Sequence, residues 1–204
     1  LLKNKKRTKS PFVFAKDYTK DYINSLPFEM TDAQKRVIGD CVKDMSSGRV
    51  MNRLVQGDVG CGKTAVAAAL MYHTARCGAQ SAIMAPTEIL AEQHFKNLCE
   101  SLKNTNIKCV LITGSLKKSE KQAAKEMLAN GKAQIAVGTH ALISEDVAFK
   151  NLALVITDEQ HRFGVLQRAQ LADKGIKPHT LVMSATPIPR TLGLIIYGDL
   201  DISI

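Results

Sequence analysis

The chain has 204 residues, of which 45% are hydrophobic and 23% charged, and it carries a formal net charge of +9. That size suits one domain whose core buries roughly 70% of the unfolded surface. No apolar run approaches the roughly 20 residues of a membrane helix, and the charged N-terminus lacks the apolar stretch of a signal peptide, so no membrane partner is expected. The positive charge points to a polyanionic partner, nucleic acid first; solubility alone is the other reading.

Lys3, Lys5, Lys6, Arg7 and Lys9 supply much of the excess charge, as a binding patch or as a frayed end. Residues 1 to about 10 read as the tail of a helix or a linker, and the start at Leu1 fits a fragment of something longer. Asp17–Leu26 predicts a short helix. Thr31 is a good N-cap for a helix over Asp32–Ser46, which Ser47-Gly48 ends. Apolar runs then predict strands at Leu54–Gln56, Ala82–Ala85, Cys109–Thr113, Ile135–Val137, Leu154–Thr157 and Thr180–Met183. Helical patterns lie between most of them, at Thr64–Arg76, Ile89–Leu102, Ser119–Asn130 and about Val165–Asp173, with a last helix over Ile188–Ile196. This alternation implies a parallel sheet covered on both faces by helices, with ligands at the carboxyl ends of the strands. The five cysteines are scattered without C-x-x-C spacing, which predicts reduced thiols in the cytoplasm, and no Cys/His/Asp spacing supports zinc.

The densest chemical signal is Gly57-Asp58-Val59-Gly60-Cys61-Gly62-Lys63-Thr64, which satisfies G-x-x-x-x-G-K-[ST] between a strand and a helix. Its glycines let backbone N–H groups surround an anion, Lys63 reaches the terminal phosphates, and the Thr64 hydroxyl suits Mg²⁺. Cys61 occupies a position that the pattern leaves free. Asp158-Glu159 ends an apolar strand: Asp158 suits Mg²⁺ and Glu159 suits a base for an attacking water. Ser184-Ala185-Thr186 also follows a strand, which Pro187 and Pro189 prevent from continuing. These hydroxyls either bond the Asp158–His161 turn or simply cap a helix.

Asp158-Glu159-Gln160-His161 and Ser184-Ala185-Thr186 resemble motifs II and III of superfamily 2 helicases. Longer strings are similar to the RecG family within it: Met84-Ala85-Pro86-Thr87-Glu88-Ile89-Leu90-Ala91-Glu92-Gln93-His94, Val137-Gly138-Thr139-His140-Ala141-Leu142-Ile143, and Pro187-Ile188-Pro189-Arg190-Thr191-Leu192. The resemblance runs from about Leu26 to Leu200. Mfd-like duplex translocases look similar around the phosphate loop but differ at His161.

The resemblance implies a three-layer α/β/α RecA-like P-loop domain with a mainly parallel central sheet over residues 26–204, preceded by a linker or helical extension over 1–25. It implies ATP and Mg²⁺ as cofactors and branched or forked DNA as partner. It assigns catalysis to Lys63, Asp158, Glu159 and His161, nucleotide binding to Phe28, Gln34 and Gly57 through Thr64, and metal binding to Thr64 and Asp158. Phe28 stacks on the base or packs the domain edge; Gln34 reads the adenine edge or is a surface helix residue. DNA-backbone contacts fall to Pro86, Thr87, Gly114, Ser115, Thr139 and His140, for which helix caps and strand-end turns are the plain alternative. Ser184, Ala185 and Thr186 would couple the two sites. Arg162, Arg168 and Arg190 contact phosphate, bridge motifs or form surface ion pairs. The family pattern also includes a second RecA-like domain with an arginine finger and an N-terminal wedge domain, neither present in this sequence, whose last residues (199–204) read as the start of the linker onward. A passive nucleotide- or nucleic-acid-binding module would not need Lys63, Thr64, Asp158 and Glu159 intact. A small-substrate phosphotransferase would need a lid and an acceptor pocket.

Overall fold

The computed structural model describes residues 9–159, 165–185 and 201–203. Two helices come first, the short α1 (Thr19–Ser25) and the longer α2 (Asp32–Ser46), followed by the alternating part of the chain. Its strands are β1 (Asn52–Gln56), β2 (Gln80–Met84), β3 (Cys109–Ile112), β4 (Ile135–Gly138), β5 (Leu152–Glu159), β6 (His179–Ser184) and β7 (Asp201–Ser203). The helices between them are α3 (Lys63–Arg76), α4 (Glu88–Ser101), α5 (Lys118–Ala129) and α6 (Val165–Ala172), with a 3₁₀ turn at His140–Ile143. The strands form one sheet in the order β3-β4-β2-β5-β6-β1-β7, and every pairing between them is parallel.

Helices cover both faces, as near-continuous apolar strands require. Side chains alternate along each strand, so β2 sends Ile83 to one core and Ala82 and Met84 to the other. The first core also takes Val137 and Ile156 and packs against α1 to α4; the second takes Ala136 and Val155 and packs against α5 and α6. Helix α3 is buried at every position from Val66 to Thr74, and its alanines let it sit close to the sheet. This three-layer α/β/α arrangement is the one expected.

Local chemistry explains the element ends. Thr31 caps α2 through a reciprocal capping box: its hydroxyl accepts from the Gln34 N–H (3.2 Å), and Gln34 Oε1 accepts from the Thr31 N–H (2.9 Å). Strand β5 is longer than its apolar run because the ladder continues, with Leu152 beside Gln80 at one end and Glu159 beside Ser184 at the other. Buried Gln80 joins three elements: its Nε2 donates to the Leu128 and Ala133 carbonyls, and its Oε1 accepts from the Asn151 N–H.

Two expectations change. Residues 201–203 are not the start of a linker but an edge strand, β7, parallel to β1. Arg53 on β1 holds it there: its guanidinium donates to Ser203 Oγ (2.6 Å) and to Asp44 Oδ2 on α2 (3.0 and 2.7 Å). Residues 10–18, read as part of a linker or extension, are laid along the core. His179 Nε2 donates to the Phe12 carbonyl (3.0 Å) while its Nδ1 accepts from the Met51 N–H (3.0 Å), and His73 Nδ1 accepts from the Tyr18 N–H (3.3 Å). Phe14 packs against both imidazoles. The last helix expected, over Ile188–Ile196, lies outside the described residues.

Two consequences are testable. Burial, more than any charge nearby, pushes the His179 imidazole down to about 4. The folded state therefore favours the neutral ring, and stability is fully present above the unfolded value of about 6.5 and lost as pH falls from there towards 4. Urea unfolding at pH 7 and pH 5 should differ by about 2 kcal/mol from this group, and a His179→Gln protein should show a shallower pH slope. Arg53→Met should cost about 3 kcal/mol, because it leaves Asp44 half-buried without its cation, and should speed amide exchange in β7.

Candidate functional site

Because the sheet is parallel, the loops that follow β1, β2, β3, β4, β5 and β6 leave the same edge, and the candidate residues collect there. The β1–α3 loop is the phosphate loop. Gly60 and Gly62 both adopt φ +83°, a left-handed conformation that costs other residues about 1–2 kcal/mol. Side chains also crowd two of the loop's three glycines. A Cβ on Gly57 would lie 2.6 Å from Cys61 Sγ, and one on Gly62 would collide with Gln34 Nε2. The Gly57 N–H donates to the Ser184 carbonyl (3.2 Å), which ties the loop to the end of β6. Lys63 Nζ donates to the Gly57 and Asp58 carbonyls (2.7 and 2.8 Å), so the ammonium is folded over the loop. Helix α3 begins at Lys63 and directs the positive end of its dipole at the same place.

Gln34 touches this loop. While its Oε1 serves the α2 capping box, its Nε2 donates to the Cys61 carbonyl (2.9 Å). The remaining Nε2 hydrogen and the second Oε1 lone pair are what its amide has left for a ligand. Phe28 is 51% exposed and lines an apolar hollow of ≈ 530 Å³ with Leu26, Pro27, Thr64, Ala68 and Leu98. The hollow meets the phosphate loop at Gly62 and Thr64.

Beside it lies a cleft of ≈ 330 Å³, into which Gly60, Lys63, Thr64, His94, Asp158 and Ala185 project. The cleft brings together residues from β1–α3, α4, β5 and β6. Asp158 stands at its wall, and Glu159, the last residue of β5, has its Cα in register with Ser184. Among the described residues no group of three or more His, Cys, Asp or Glu side chains converges as a metal cage. One hydroxyl and one carboxylate facing a phosphate loop fit the donor needs of Mg²⁺, which keeps waters and phosphate oxygens as its other ligands. His161, Thr186, Arg162 and Arg190 lie outside the described residues, and Arg168 falls within α6.

The DNA-side candidates sit farther along the same edge, after β2, β3 and β4. Thr87 caps α4, accepting from the Leu90 N–H (3.3 Å). Glu88 Oε1 accepts from the Ser115 N–H (3.0 Å), so Pro86-Thr87 and Gly114-Ser115 form one surface. The Ser115 hydroxyl and amide hold the Glu88 carboxyl below the usual carboxylate range. His140 is exposed on the next turn, but Thr139 is buried, with its hydroxyl turned to the Ala141 N–H (3.5 Å). The surface offered by that turn is therefore His140, and Thr139 acts as its cap.

Sequence reasoning missed two groups. Helix α4 contributes His94, with Gln93 and Asn97 beside it, to the phosphate cleft; His94 Nε2 lies 2.8 Å from Asp158 Oδ2. The string that carries them was visible, but helical spacing reveals a face and not what it meets. Lys117, Lys118 and Lys121 flank the Gly114-Ser115 turn, and Lys121 Nζ donates to the Gly114 carbonyl (3.4 Å). Two adjacent lysines directly after that turn were the available signal.

Comparison with known proteins agrees with this geometry. Residues 31–195 match the DEAD/DEAH box helicase family. The chain is 52% identical over 202 residues to the ATP-dependent DNA helicase RecG of Aquifex aeolicus (strain VF5), covering 98% of this chain and 26% of that protein. It is 53% identical over 184 residues to the protein of that name from Thermotoga maritima, covering 90% and 24%. The chain thus spans about a quarter of the length of these curated relatives. A solved structure described as RecG bound to a three-way DNA junction superposes with a TM-score of 0.78 at 51% identity, over 90% of this chain and 24% of that one. Saccharomyces cerevisiae Dbp5 bound to RNA and ADP BeF3 shares the fold, with a TM-score of 0.69 at 18% identity over 90% of this chain and 48% of that one. The chain belongs to the DEAD/DEAH box helicase family, and what it matches makes it the first RecA-like domain of a RecG-family superfamily 2 helicase.

Proposed function

We propose that this chain is the ATP-binding half of a motor that couples ATP hydrolysis to remodelling of branched or forked DNA, in recombination and repair. The carrying observation is that Lys63, Thr64 and Asp158 line one cleft at the edge of the sheet that also carries the DNA-side turns. Residues 26–204 are read as the ATP-binding domain and 1–25 as an extension, of which Phe14 and Tyr22 pack into that domain's core.

The residues present fit a magnesium nucleotide. Gly60 and Gly62 hold the left-handed φ of +83° with which a glycine-rich loop can turn its N–H groups toward phosphate. Lys63 and the N–H groups opening α3 bind the β- and γ-phosphates. Thr64 and Asp158 hold Mg²⁺, which neutralises charge on the phosphates when bound. Glu159 orients the attacking water and accepts its proton, and His161, two residues on in the sequence, is assigned to catalysis with it. Gln34 addresses the adenine edge with the amide capacity left to it, and Phe28 offers a face to the base from the apolar hollow.

On the DNA side, Pro86, Thr87, Gly114, Ser115 and His140 contact backbone rather than bases, with Lys117, Lys118 and Lys121 supplying attraction that is independent of sequence. Ser184, Ala185 and Thr186 are read as coupling the two sites; on the nucleotide side the Ser184 carbonyl accepts from the Gly57 N–H and its Cα is in register with Glu159. The second RecA-like domain and the wedge domain complete the motor. No helix among the described residues is long and apolar enough to cross a membrane. A cytoplasmic place beside the bacterial chromosome is part of this reading, and the likeness to bacterial DNA helicases supports it.

Binding of a fluorescent Mg·ADP should weaken about 10–100-fold in Lys63→Ala, the worth of hydrogen bonds to one charged group. Steady-state ATP hydrolysis by this chain, with and without forked DNA, should be very slow, because an arginine finger from the second domain is worth roughly 10³–10⁵ in rate. Robust DNA-stimulated turnover by the chain alone would sink the half-motor reading; loss of neither binding nor turnover in Lys63→Ala would sink the nucleotide site.

A further inference from the structure

Helix α4 sends one ring into the phosphate cleft that none of the expected site residues includes. His94 is 5% exposed, and its Nε2 lies 2.8 Å from Asp158 Oδ2. An ionised carboxylate only accepts, so Nε2 carries the proton and donates. Among the described residues the Nδ1 atom has no partner, so the bond to Asp158 is the polar interaction that orients the ring. Both side chains are mostly withdrawn from solvent, at 7% and 16% exposure, and the bond is therefore less screened than a surface pair.

A filler for the space between α4 and β5 needs bulk and no nitrogen. An apolar ring would serve better, since the buried Nδ1 has a desolvation cost. What the nitrogen adds is a fixed carboxylate. One oxygen of Asp158 is held from the α4 side, which restricts rotation of the group that faces Lys63 and Thr64 across the cleft. Carboxylates that bear metal ions are themselves held by hydrogen bonds in this way, and their partners typically change metal affinity when removed.

We propose that His94 is a positioning residue for the metal-binding carboxylate: through Nε2 it presets Asp158 for Mg²⁺. This rests on the reading of Asp158 as the Mg²⁺ carboxylate. The same helix opens with Thr87 and Glu88 on the DNA-side surface, about 9 Å from His94 along the axis at 1.5 Å per residue. Helix α4 is thus one rigid body whose N-terminus lies at the DNA-side surface and whose middle turns reach the phosphate cleft.

The test uses Mn²⁺ in place of Mg²⁺. Free Mn²⁺ is followed by electron paramagnetic resonance as it is titrated into the chain with saturating ADP, and metal-free ADP binding is measured by calorimetry in EDTA. His94→Leu keeps the bulk and removes the donor; His94→Gln keeps a donor near the Nε2 position. The leucine variant should bind Mn²⁺ about 10–100-fold more weakly with metal-free ADP binding unchanged, and the glutamine variant should restore most of the affinity. Should His94→Leu not fold, His94→Asn, whose amide falls short of Asp158, gives the same test. Wild-type affinity in the leucine or asparagine variant, or a glutamine variant as weak as they are, overturns the role of His94 while leaving the nucleotide site intact. Absence of any Lys63-dependent Mn²⁺–ADP binding by the unmodified chain overturns the nucleotide site itself, and this proposal with it.

Discussion

Parallel strand pairing is the constraint from which the rest of this structure follows. Each return to the sheet needs a crossover, so every strand enters from one edge and leaves at the other. The phosphate loop, the Pro86–Glu88 turn, the Gly114-Ser115 turn, His140, Asp158 and Ser184 are scattered along the chain, yet each follows or ends a strand. The sheet therefore delivers all of them to one edge without any needing to be neighbours in sequence. The carboxyl ends also face the N-termini of α3 and α4, whose unpaired N–H groups favour anions. An edge built this way is suited to phosphate, whether from a nucleotide or from a nucleic-acid backbone.

The two halves of that edge are built differently. The nucleotide half is tight: left-handed glycines, Lys63 folded onto the loop, and Gln34 pinned between the α2 cap and the Cys61 carbonyl. The DNA-side half is open and partly acidic, since Glu88 ties two of its turns together while lysines surround them. On the proposed reading, such a surface would hold a polyanion through caps, N–H groups and distributed charge rather than by reading bases. Between the halves runs α4.

Much of the architecture was legible beforehand, for physical reasons that particular residues show. Strands buried on both faces are mostly apolar, so β4 and the central residues of β2 and β5 announced themselves, whereas the buried polar start of β2, Gln80-Ser81, did not. Thr31 as the N-cap of a helix over Asp32–Ser46 needs no tertiary partner and formed as read; that Gln34 closes the cap reciprocally was not part of that reading. The bounds of β5 were only partly legible: the apolar core read at Leu154–Thr157 is extended by the backbone ladder to Leu152 beside Gln80 and to Glu159 beside Ser184. Strand β7 was hidden for a stronger reason: three residues with one buried side chain carry no pattern, and only the edge of β1 and the Arg53 guanidinium make them a strand.

What the sequence by itself determined is everything that depends on short-range chemistry: the alternation of elements, the glycine loop that permits an anion cradle, and the carboxylates ending a strand beside it. What only the tertiary structure decided is which side chains meet across long separations. The order β3-β4-β2-β5-β6-β1-β7, the seat of Phe12 on His179 and the bond from His94 to Asp158 join residues far apart in the chain. Periodicity tells which face of a helix is buried, but the partner of that face is chosen by how whole layers pack. Thr139 shows the same limit: its residue type fits a surface phosphate contact, and burial turns it into a cap.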